Sequence, residues 1–379
     1  MHKTVVIAGY ARSPFHPASR GALARLRPDD LLAQTIKGLL ARCPVALDEI
    51  EDHVAGCAFP EGEQGLNVAR LAGFLAGLPQ SVAAATVNRF CGSSMQGIHM
   101  AAGAVQMDAG RLFLCTGVES MSRVPMAGFN PSPNPLLAQS YPQAYMGMGE
   151  TAENVAKAYG VDRARMERMA LESQQKAARA AKDGSFADEI VSVRTRDGEV
   201  TMDGILRPDT TLEGLAGLKP AFVEGGTVTA GTSSPLTDGA AAVLVAEEGY
   251  ARSAGLTPLA RIRSVAVAGC APETMGMGPV AASKKALVRA GIGARDLDVI
   301  ELNEAFAAQA LACIDALELD EAKVNLDGGA IALGHPLGAT GARITGKAAS
   351  LLERTGGRYA LATQCIGGGQ GIATVLEAV

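Results

Sequence analysis

Short apolar runs and segments with helical periodicity alternate along the chain. Ala83–Val87 and Val299–Leu302 have the length and the apolar content of strands. The first of these runs is followed by apolar residues at the spacing of one helix face, from position 95 to position 105. Because strands and helices that alternate in this way pack as layers, the pattern predicts an α/β fold.

The chain also repeats itself. Residues 40–59 (LARCPVALDEIEDHVAGCAF) align without a gap with residues 287–306 (LVRAGIGARDLDVIELNEAF), and each segment reads as a helix end, a turn and a strand. Further on, Asn88 and Asn325 each follow a valine and precede a glycine-rich turn and a helix. Short α/β patterns can match by chance, and that alternative stays open. The repeat predicts two α/β halves related by a pseudo-twofold axis.

The residue composition changes in the stretch that separates the two copies, residues 121–237. Residues 130–143 are rich in Pro and Ser and are expected to form a loop, whereas residues 151–183 have helical spacing with a break near Gly160. We therefore expect an inserted loop domain that covers the site as a lid. The predicted division is an N-terminal half, the inserted loop domain and a C-terminal half: residues 1–120 with about 238–256, residues 121–237, and residues 257–379.

The composition narrows the classes of function. Of the 379 residues, 48% are hydrophobic and 19% are charged, which suits a globular protein with a large core. The formal net charge is −5, and no run of Lys and Arg marks a surface for nucleic acid or membranes. The seven cysteines and five histidines show no zinc-binding spacing and no disulfide framework, so we expect reduced thiols in the cytoplasm and no bound metal. We expect neither a signal peptide nor a membrane span, because no apolar stretch approaches about 18 residues.

Cys91 stands in the segment NRFCGSSMQG, between the first predicted strand and its helix. At the start of a helix, unpaired N–H groups and the helix dipole favour a thiolate, which is the nucleophilic form of cysteine. A cysteine without such neighbours is more often a buried packing residue. The small residues around Cys91 indicate a tight strand-to-helix turn and so favour a nucleophile.

His335 stands in a second glycine-rich segment, GGAIALGHPLG (residues 328–338). Pro336 suits the first position of the next helix, which would place His335 at the helix cap. An exposed cap histidine is the alternative to a catalytic base. By the internal repeat, however, His335 occupies the position that corresponds to the Cys91 turn, so the two turns are expected to converge across the pseudo-twofold axis.

Two further segments carry candidate polar groups. In TQCIGGGQG (residues 363–371), the glycines expose backbone N–H groups that suit an oxyanion hole, and Cys365 could act as an acid or a base. The segment is a weak phosphate loop, because no Lys-Ser/Thr pair follows it. At the end of the strand Val299–Leu302, Asn303 could hold a carbonyl oxygen directly or through water, whereas Glu304 is equally consistent with a structural role.

Together, NRFCGSS, NEAF, GHP and CIGGGQG resemble, in this order, the signature set of the thiolase family. The resemblance extends over nearly the whole chain and includes TAENVA (residues 151–156) and TAGTSSPLTDGAAAVLV (residues 229–245). It implies a thiolase fold, that is, two α/β halves in a five-layered αβαβα arrangement with an inserted loop domain. It also implies a homodimer or a dimer of dimers, with coenzyme A and acyl-CoA as substrates and no permanently bound cofactor.

The resemblance also implies a role for each candidate residue of the site. Cys91 is the nucleophile that becomes acylated, His335 activates it, and Cys365 is the acid/base that handles the proton of the substrate α-carbon. Asn303 holds a water that forms one oxyanion hole together with His335. The backbone N–H groups of Cys91 and Gly367 form the other oxyanion hole.

The same resemblance implies how the substrate binds. Coenzyme A is expected to meet Ser234 with its pantetheine arm and Arg207 near its adenine end. The segments RPDTTLEGLAGLKPAF and NEAFAAQAL are most similar to degradative 3-ketoacyl-CoA thiolases, including the beta subunit of bacterial fatty-acid oxidation complexes, so a partner of that kind is among the expectations. The expected reaction is cleavage of a 3-ketoacyl-CoA by CoA to acetyl-CoA and a shortened acyl-CoA.

Three alternatives to this reaction remain open. Gly147 and Thr232-Ser233-Ser234 depart from biosynthetic acetoacetyl-CoA thiolases, although a short-chain enzyme stays an alternative. A decarboxylating condensing enzyme usually pairs its cysteine with two histidines, which this chain does not have at the matching motifs. A non-catalytic carrier of CoA or lipid would be expected to lose one of the four motifs. The methionine-rich segment 146–149 suits either an acyl channel or ordinary packing.

Overall fold

The structure is a computed structural model that describes residues 3–379. In chain order, the helices α1–α12 of these residues span Pro28–Arg42, Val68–Ala76, Ser93–Gln106, Pro135–Ser140, Met148–Tyr159, Arg163–Lys182, Leu212–Ala216, Glu248–Ser253, Gly278–Ala290, Ala307–Leu317, Ala330–Leu333 and Leu337–Thr355. The strands β1–β12 span Val5–Arg12, His16–Pro17, Asp52–Gly56, Ala83–Val87, Leu112–Ser120, Val193–Thr195, Gly198–Val200, Thr237–Glu247, Ala260–Gly269, Val299–Leu302, Tyr359–Ile366 and Gln370–Glu377.

One mixed sheet contains all the described strands except the hairpin of β6 and β7. Its order is β4-β3-β5-β8-β1 in the N-terminal half and β10-β11-β12-β9 in the C-terminal half, and β2 pairs beside β8. The strands β3, β5, β8 and β1 correspond in order and direction to β10, β11, β12 and β9. Where the N-terminal half has β4, the C-terminal half has a parallel bridge between Ile300 and Val324. The repeat in the sequence therefore corresponds to two copies of one α/β unit.

The two half-sheets and their helices stack in five layers. The helices α3 and α12 form the middle layer, where Met95, Ile98 and Ile344 pack between the half-sheets. The helices α1 and α2 cover the outer face of the N-terminal half, and α9 and α10 cover the outer face of the C-terminal half. The half-sheets join through β1 and β9, with Val6 opposite Arg261 and Ile7 opposite Ala260. The expected αβαβα arrangement is confirmed.

The segment between β5 and β8 lies outside the large sheet. Its residues 130–143 are not all loop as expected, because Pro135–Ser140 is helical: the Asn134 side chain caps this helix and a proline stands in its first turn. The next helix spans Met148–Tyr159, and Gly160 ends it with a φ of 65°, as the break in helical spacing indicated. The division of the chain into three domains stays a prediction.

The described part of the chain bears on the expectations for membrane spans, metal sites and disulfides. Within residues 3–379, no helix is long and apolar enough to cross a membrane. The same residues include no group of three or more His, Cys, Asp and Glu side chains that could hold a metal ion. The seven cysteines are free thiols.

Candidate active site

Cys91 lies on a tight turn between β4 and α3. It comes just before Gly92, the N-cap residue of α3, and Ser93, the first residue of the helix. The Asn88 side chain accepts a hydrogen bond from the Phe90 N–H (2.8 Å). The Ser93 hydroxyl donates to the Phe90 carbonyl oxygen (2.6 Å). These bonds hold Phe90 at a positive φ of 42°, a conformation that most side chains avoid. The sequence therefore folds here into the tight strand-to-helix turn that its small residues indicate.

Burial dominates the electrostatics of Cys91. It raises the pKa of the thiol to about 11, although the backbone N–H groups of Gly367 and of Cys91 itself oppose the increase. The structure thus differs from the expectation of a thiolate at the helix start, because the loss of water outweighs the helix dipole. The Gln364 amide donates to the Cys91 carbonyl oxygen (2.6 Å) and ties the turn to β11. Cys91 therefore needs a base before it can act as a nucleophile.

His335 lies just before α12, in the position that corresponds to Cys91 before α3. Pro336 is the cap residue of α12 and not its first helical residue, so the helix begins one position later than the sequence indicated. The His335 N–H donates to the Thr237 hydroxyl (3.0 Å), and the side chain is buried, unlike that of an exposed cap histidine. Burial, and then the positive charge of Arg343, lower the pKa of His335 to about 3. The ring is therefore neutral near pH 7 and can accept a proton.

The hydrogen bonds of Thr340 assign the ring proton of His335. The Thr340 hydroxyl donates to the Pro336 carbonyl oxygen (3.0 Å) and lies 2.7 Å from Nδ1 of His335. Because a hydroxyl has a single hydrogen, the Thr340 oxygen accepts from Nδ1–H. Nε2 therefore carries the lone pair, and it faces the Asn303 amide at 3.5 Å.

The carboxyl ends of β10 and β11 bring Asn303 and Cys365 to one edge of the sheet. The two strands are parallel with Leu302 opposite Thr363, and the Asn303 N–H donates to the Thr363 carbonyl oxygen (3.0 Å). The Asn303 side chain is buried, and within residues 3–379 its Oδ1 has no hydrogen-bond partner. A buried acceptor of this kind, beside Nε2 of His335, suits a bound water.

Cys365, which belongs to the C-terminal half, lies near Cys91, which belongs to the N-terminal half. Burial raises the pKa of Cys365 well above its usual value, and the charge that Cys91 would carry adds to the increase. After Cys365, the positive φ angles of Gly368 (78°) and Gly369 (83°) reverse the chain between β11 and β12. This turn directs the Gly367 N–H at the Cys91 sulfur, to which it donates. The structure therefore brings Cys91, Cys365 and Gly367 together. It also places His335 beside Asn303, which follows β10 at the sheet edge where β11 carries Cys365.

Glu304 has a structural role, which was one of the two expectations for it. Its carboxylate accepts hydrogen bonds from the Ser173 hydroxyl (2.6 Å), the Asn325 amide (2.7 Å) and the Ile331 N–H (3.2 Å). These bonds tie α6 and the turn before α11 to the end of β10.

The two residues expected to contact coenzyme A lie in different surroundings. The Ser234 N–H and hydroxyl both donate to the Ala305 carbonyl oxygen, at 3.0 and 3.1 Å, so Ser234 lies against the segment that contains Asn303. Arg207 is exposed, and its N–H donates to the Gln174 side chain (2.9 Å). Among residues 3–379, its guanidinium has no ion-pair partner within 4.0 Å, so the cation is available to an anionic ligand.

Sequence reasoning missed Gln364, Thr340 and Glu119. Gln364 lies inside the segment TQCIGGGQG, and Thr340 lies two residues beyond GGAIALGHPLG, but their bonds to Cys91 and His335 depend on tertiary geometry. Glu119 follows an apolar strand (LFLCTGV), and a charged residue at the end of such a strand is the one signal that could have drawn attention to it. A cavity of about 640 Å³ at the far end of α12, lined by Tyr10 and Lys347, contains none of the expected site residues.

Comparison with known proteins identifies the family. The profiles for the N-terminal and C-terminal domains of thiolase match residues 5–249 and 256–378. The 3-ketoacyl-CoA thiolases of Bacillus subtilis and Shewanella frigidimarina are 47% and 49% identical to this chain, over 100% of both sequences in each case. The crystal structure of human mitochondrial 3-ketoacyl-CoA thiolase has a TM-score of 0.92 at 37% identity, with 100% of this chain and 99% of that chain covered. The same human enzyme in complex with CoA has a TM-score of 0.91 at 37% identity and covers 100% and 98%. This chain belongs to the thiolase family.

Proposed function

We propose that this chain is an acetyl-CoA C-acyltransferase that cleaves a 3-ketoacyl-CoA with CoA, reversibly, to acetyl-CoA and a shortened acyl-CoA. The observation that supports the proposal is the placement of two neighbouring buried thiols, Cys91 and Cys365, at the sheet edge where Asn303 contacts a neutral His335. Relatives of full matching length are named 3-ketoacyl-CoA thiolase, and one of them binds CoA, which supports the choice of substrate.

In the first step, Nε2 of His335 accepts the proton of Cys91, and the thiolate attacks the 3-keto carbon. The oxygen of the resulting tetrahedral adduct lies at the backbone N–H groups of Cys91 and Gly367, where it is stabilised as charge develops. The carbon–carbon bond then breaks. The leaving fragment is the enolate of acetyl-CoA, and its oxygen accepts from the newly protonated His335 and from a water held by Asn303.

Cys365 completes the first step and prepares the second. Its raised pKa keeps it protonated, so it can donate the proton that converts the enolate carbon to the methyl group of acetyl-CoA. The Cys365 thiolate that results accepts the thiol proton of an incoming CoA. The CoA sulfur then attacks the thioester on Cys91, the shortened acyl-CoA leaves, and the released Cys91 thiolate takes its proton back from His335. Covalent transfer through Cys91 divides one difficult exchange into two easier steps.

The segment 121–237 is proposed to be the inserted domain that binds CoA. Two observations support this assignment: Arg207 is exposed with a free guanidinium, and Ser234 abuts the end of β10 near the thiols. CoA carries phosphates at the end remote from its thiol. A cation far from Cys91 can therefore bind these phosphates and fix the position of the whole molecule. Binding at the remote end positions the thioester for reaction without taking part in it.

The acyl chain is proposed to run past Met148 and Phe90. A Cβ placed on Gly367 would lie 3.5 Å from the Met148 sulfur and 3.8 Å from the Phe90 ring, so both side chains border the Cys91 site. The Phe90 ring also lies 5.9 Å from that of Phe59. Unbranched methionine can adapt its shape to an acyl chain.

Initial rates of thiolysis over 3-ketoacyl-CoAs of increasing length test this function. We expect kcat/KM for substrates longer than acetoacetyl-CoA to be at least equal to that for acetoacetyl-CoA, because each buried methylene contributes about 0.8 kcal/mol. A steep decrease in kcat/KM from four to eight carbons would instead assign the chain to the short-chain acetoacetyl-CoA class. Absence of thiolysis with every substrate would contradict the enzymatic function itself.

We propose that the chain forms a homodimer through the outer edge of the sheet, at β4. Within the described residues, β4 pairs only with β3, and its other edge has no strand partner. Phe90, which follows β4, and Phe74, on the neighbouring α2, are 39% and 46% exposed. An open strand edge with apolar neighbours suits pairing with a second copy about a twofold axis. A dimer of dimers would need further apolar surface, which Leu136 (76% exposed) supplies in part.

Sedimentation equilibrium measures the oligomeric state directly. We expect the mass of at least two chains, and we expect Thr86→Pro, which places a proline in β4, to shift the mass toward one chain. A single-chain mass for the unaltered protein would contradict the homodimer. Binding of a partner from a fatty-acid oxidation complex and a cytoplasmic location stay predictions.

A further inference from the structure

Glu119 is a buried carboxylate whose partners are all uncharged. It is the last residue but one of β5 and is 1% exposed, and no cation among residues 3–379 forms an ion pair with it. One of its oxygens accepts from the Ala58 N–H (2.8 Å) and the Gly338 N–H (2.9 Å). The other accepts from the Gln64 amide (2.8 Å) and the Phe59 N–H (3.3 Å). The Cys57 thiol also donates to this second oxygen (3.7 Å). Burial of a carboxylate is costly because the group loses its water, and these five bonds offset that cost.

The Gly338 bond caps a helix that has no cap of its own. Pro336, the cap residue of α12, has no side-chain acceptor, so the first N–H groups of the helix require a partner from elsewhere. Glu119 is that partner, and it comes from the other half of the protein. The start of α12 is also pressed against β3 and β5: a Cβ on Gly338 would lie 2.6 Å from the Val118 carbonyl oxygen. His335 immediately precedes this helix start, and Thr340, which orients the imidazole, lies in its first turn.

The bonds of the other oxygen lead toward Cys91. The Phe59 and Gln64 groups belong to the segment that follows β3, and the Phe59 ring lies 5.9 Å from the ring of Phe90 in the Cys91 turn. The helices behind the two turns are also connected, because the Ser94 hydroxyl in α3 accepts from the Ala342 N–H in α12 (2.8 Å). Glu119 therefore lies between the structures that carry the nucleophile and the base.

We propose that Glu119 is a positioning residue for the Cys91–His335 pair, holding the start of α12 and the segment after β3 at the separation that proton transfer requires. The proposal rests on the proposed thiolase reaction. Glu119 does not touch the reacting atoms; it acts through the helix start that fixes His335. Displacement of a catalytic group by about 1 Å can lower a rate by about 100-fold, so a lost cap is expected to affect kcat.

The test uses Glu119→Gln, which keeps the shape of the side chain. An amide has one acceptor oxygen, so its NH2 group must face either the Gly338 and Ala58 N–H groups or the Gln64 amide, and one set of bonds is lost. We expect kcat for thiolysis, and the rate of Cys91 acetylation by acetyl-CoA, to decrease by about 10- to 100-fold. KM for CoA is expected to stay unchanged, because CoA binds outside this contact.

A double variant, Glu119→Gln with Gln64→Glu, separates positioning from loss of the fold. It exchanges the two side chains, so an amide at 119 can donate to a carboxylate at 64, which can still accept from the Ser120 N–H that Gln64 binds (2.6 Å). The bond that the Gln64 amide donates to the Phe59 carbonyl oxygen (2.8 Å) is lost in this variant. We expect this exchange to recover part of the lost kcat, because it restores the bond between positions 64 and 119. The matched control is Glu189→Gln, a buried carboxylate that binds Arg12 and Lys347 remote from the thiols and should lower the melting temperature without changing kcat.

Normal kcat in Glu119→Gln, or no recovery in the exchange variant, would overturn the positioning role. These outcomes differ from a failure of the proposed function. In that case the unaltered protein itself would show no thiolysis and no acetylation of Cys91, and the variants would have no activity to compare.

Discussion

Replacement of Cys91 by serine is expected to lower kcat for thiolysis by about 1,000-fold or more, with the fold and CoA binding retained. The buried thiol already has a pKa of about 11, and a serine hydroxyl is a far weaker acid in the same place. A neutral His335 can draw the proton from the thiol but not from the hydroxyl at a useful rate. Serine fills nearly the same volume, so the loss should lie in chemistry and not in packing.

Mass spectrometry after incubation with acetyl-CoA measures the step directly. The unaltered chain should gain one acetyl group on Cys91, and the serine variant should gain none. Cys43→Ser is the control, because Cys43 is a free, half-buried thiol after α1 and is expected to leave acetylation unchanged. An acetylated serine variant, or near-normal thiolysis by it, would contradict the assignment of the nucleophile. Lack of acetylation in the unaltered chain would instead favour a carrier on a thiolase scaffold.

Replacement of Cys365 by alanine is expected to separate the two half-reactions. Cys365 moves the proton of the α-carbon and does not form the thioester, so the variant should lose turnover and condensation by about 100- to 10,000-fold. Some acetylation of Cys91 by acetyl-CoA should remain, because this step needs no α-carbon proton and the departing CoA thiolate, which Cys365 would otherwise protonate, is stable enough to leave without a proton. The raised pKa of Cys365 supports the role, since only a protonated thiol can serve as the acid.

Solvent deuterium exchange into the methyl group of acetyl-CoA, followed by NMR, reports the step assigned to Cys365. We expect the exchange to disappear in Cys365→Ala and to persist in Cys313→Ala. Cys313 is equally buried and donates to the Gly276 carbonyl oxygen (3.2 Å), so its loss should affect stability more than chemistry. Equal loss of acetylation and of exchange in Cys365→Ala would show that Cys365 is not a separate acid/base.

The sequence was sufficient for the architecture because the fold repeats a pattern that is visible along the chain. Residues 40–59 and 287–306 place β3 and β10 at equivalent positions in the two half-sheets. The turn around Cys91 was also predictable, because its hydrogen bonds join residues that are close neighbours in sequence. Local sequence patterns of this kind predict the structure correctly wherever the local preference of a segment agrees with the overall fold.

The pKa of Cys91 and the role of Glu119 were not predictable in the same way. The sequence shows the helix start that lowers a thiol pKa, but it does not show how much water the fold removes from Cys91, and burial is the larger effect. Glu119 and Gly338 are 219 residues apart, so no local pattern announces their bond. The helix Pro135–Ser140 was missed because a Pro- and Ser-rich stretch also describes a capped helix start.

The pairing of β1 has a consequence for synthesis of the chain on the ribosome. Val5–Arg12 is made well before both of its partners: β8 pairs on one side, with Val5 opposite Glu247, and β9 pairs on the other, with Ile7 opposite Ala260. At about 5–20 residues per second, roughly 10–50 s pass before β8 emerges to pair with it. During that time the apolar strand VVIAGYAR exposes both edges, so nascent chains are open to premature association with one another. A molecular chaperone that shields extended apolar segments near the N-terminus would therefore raise the yield of folded protein most during this interval.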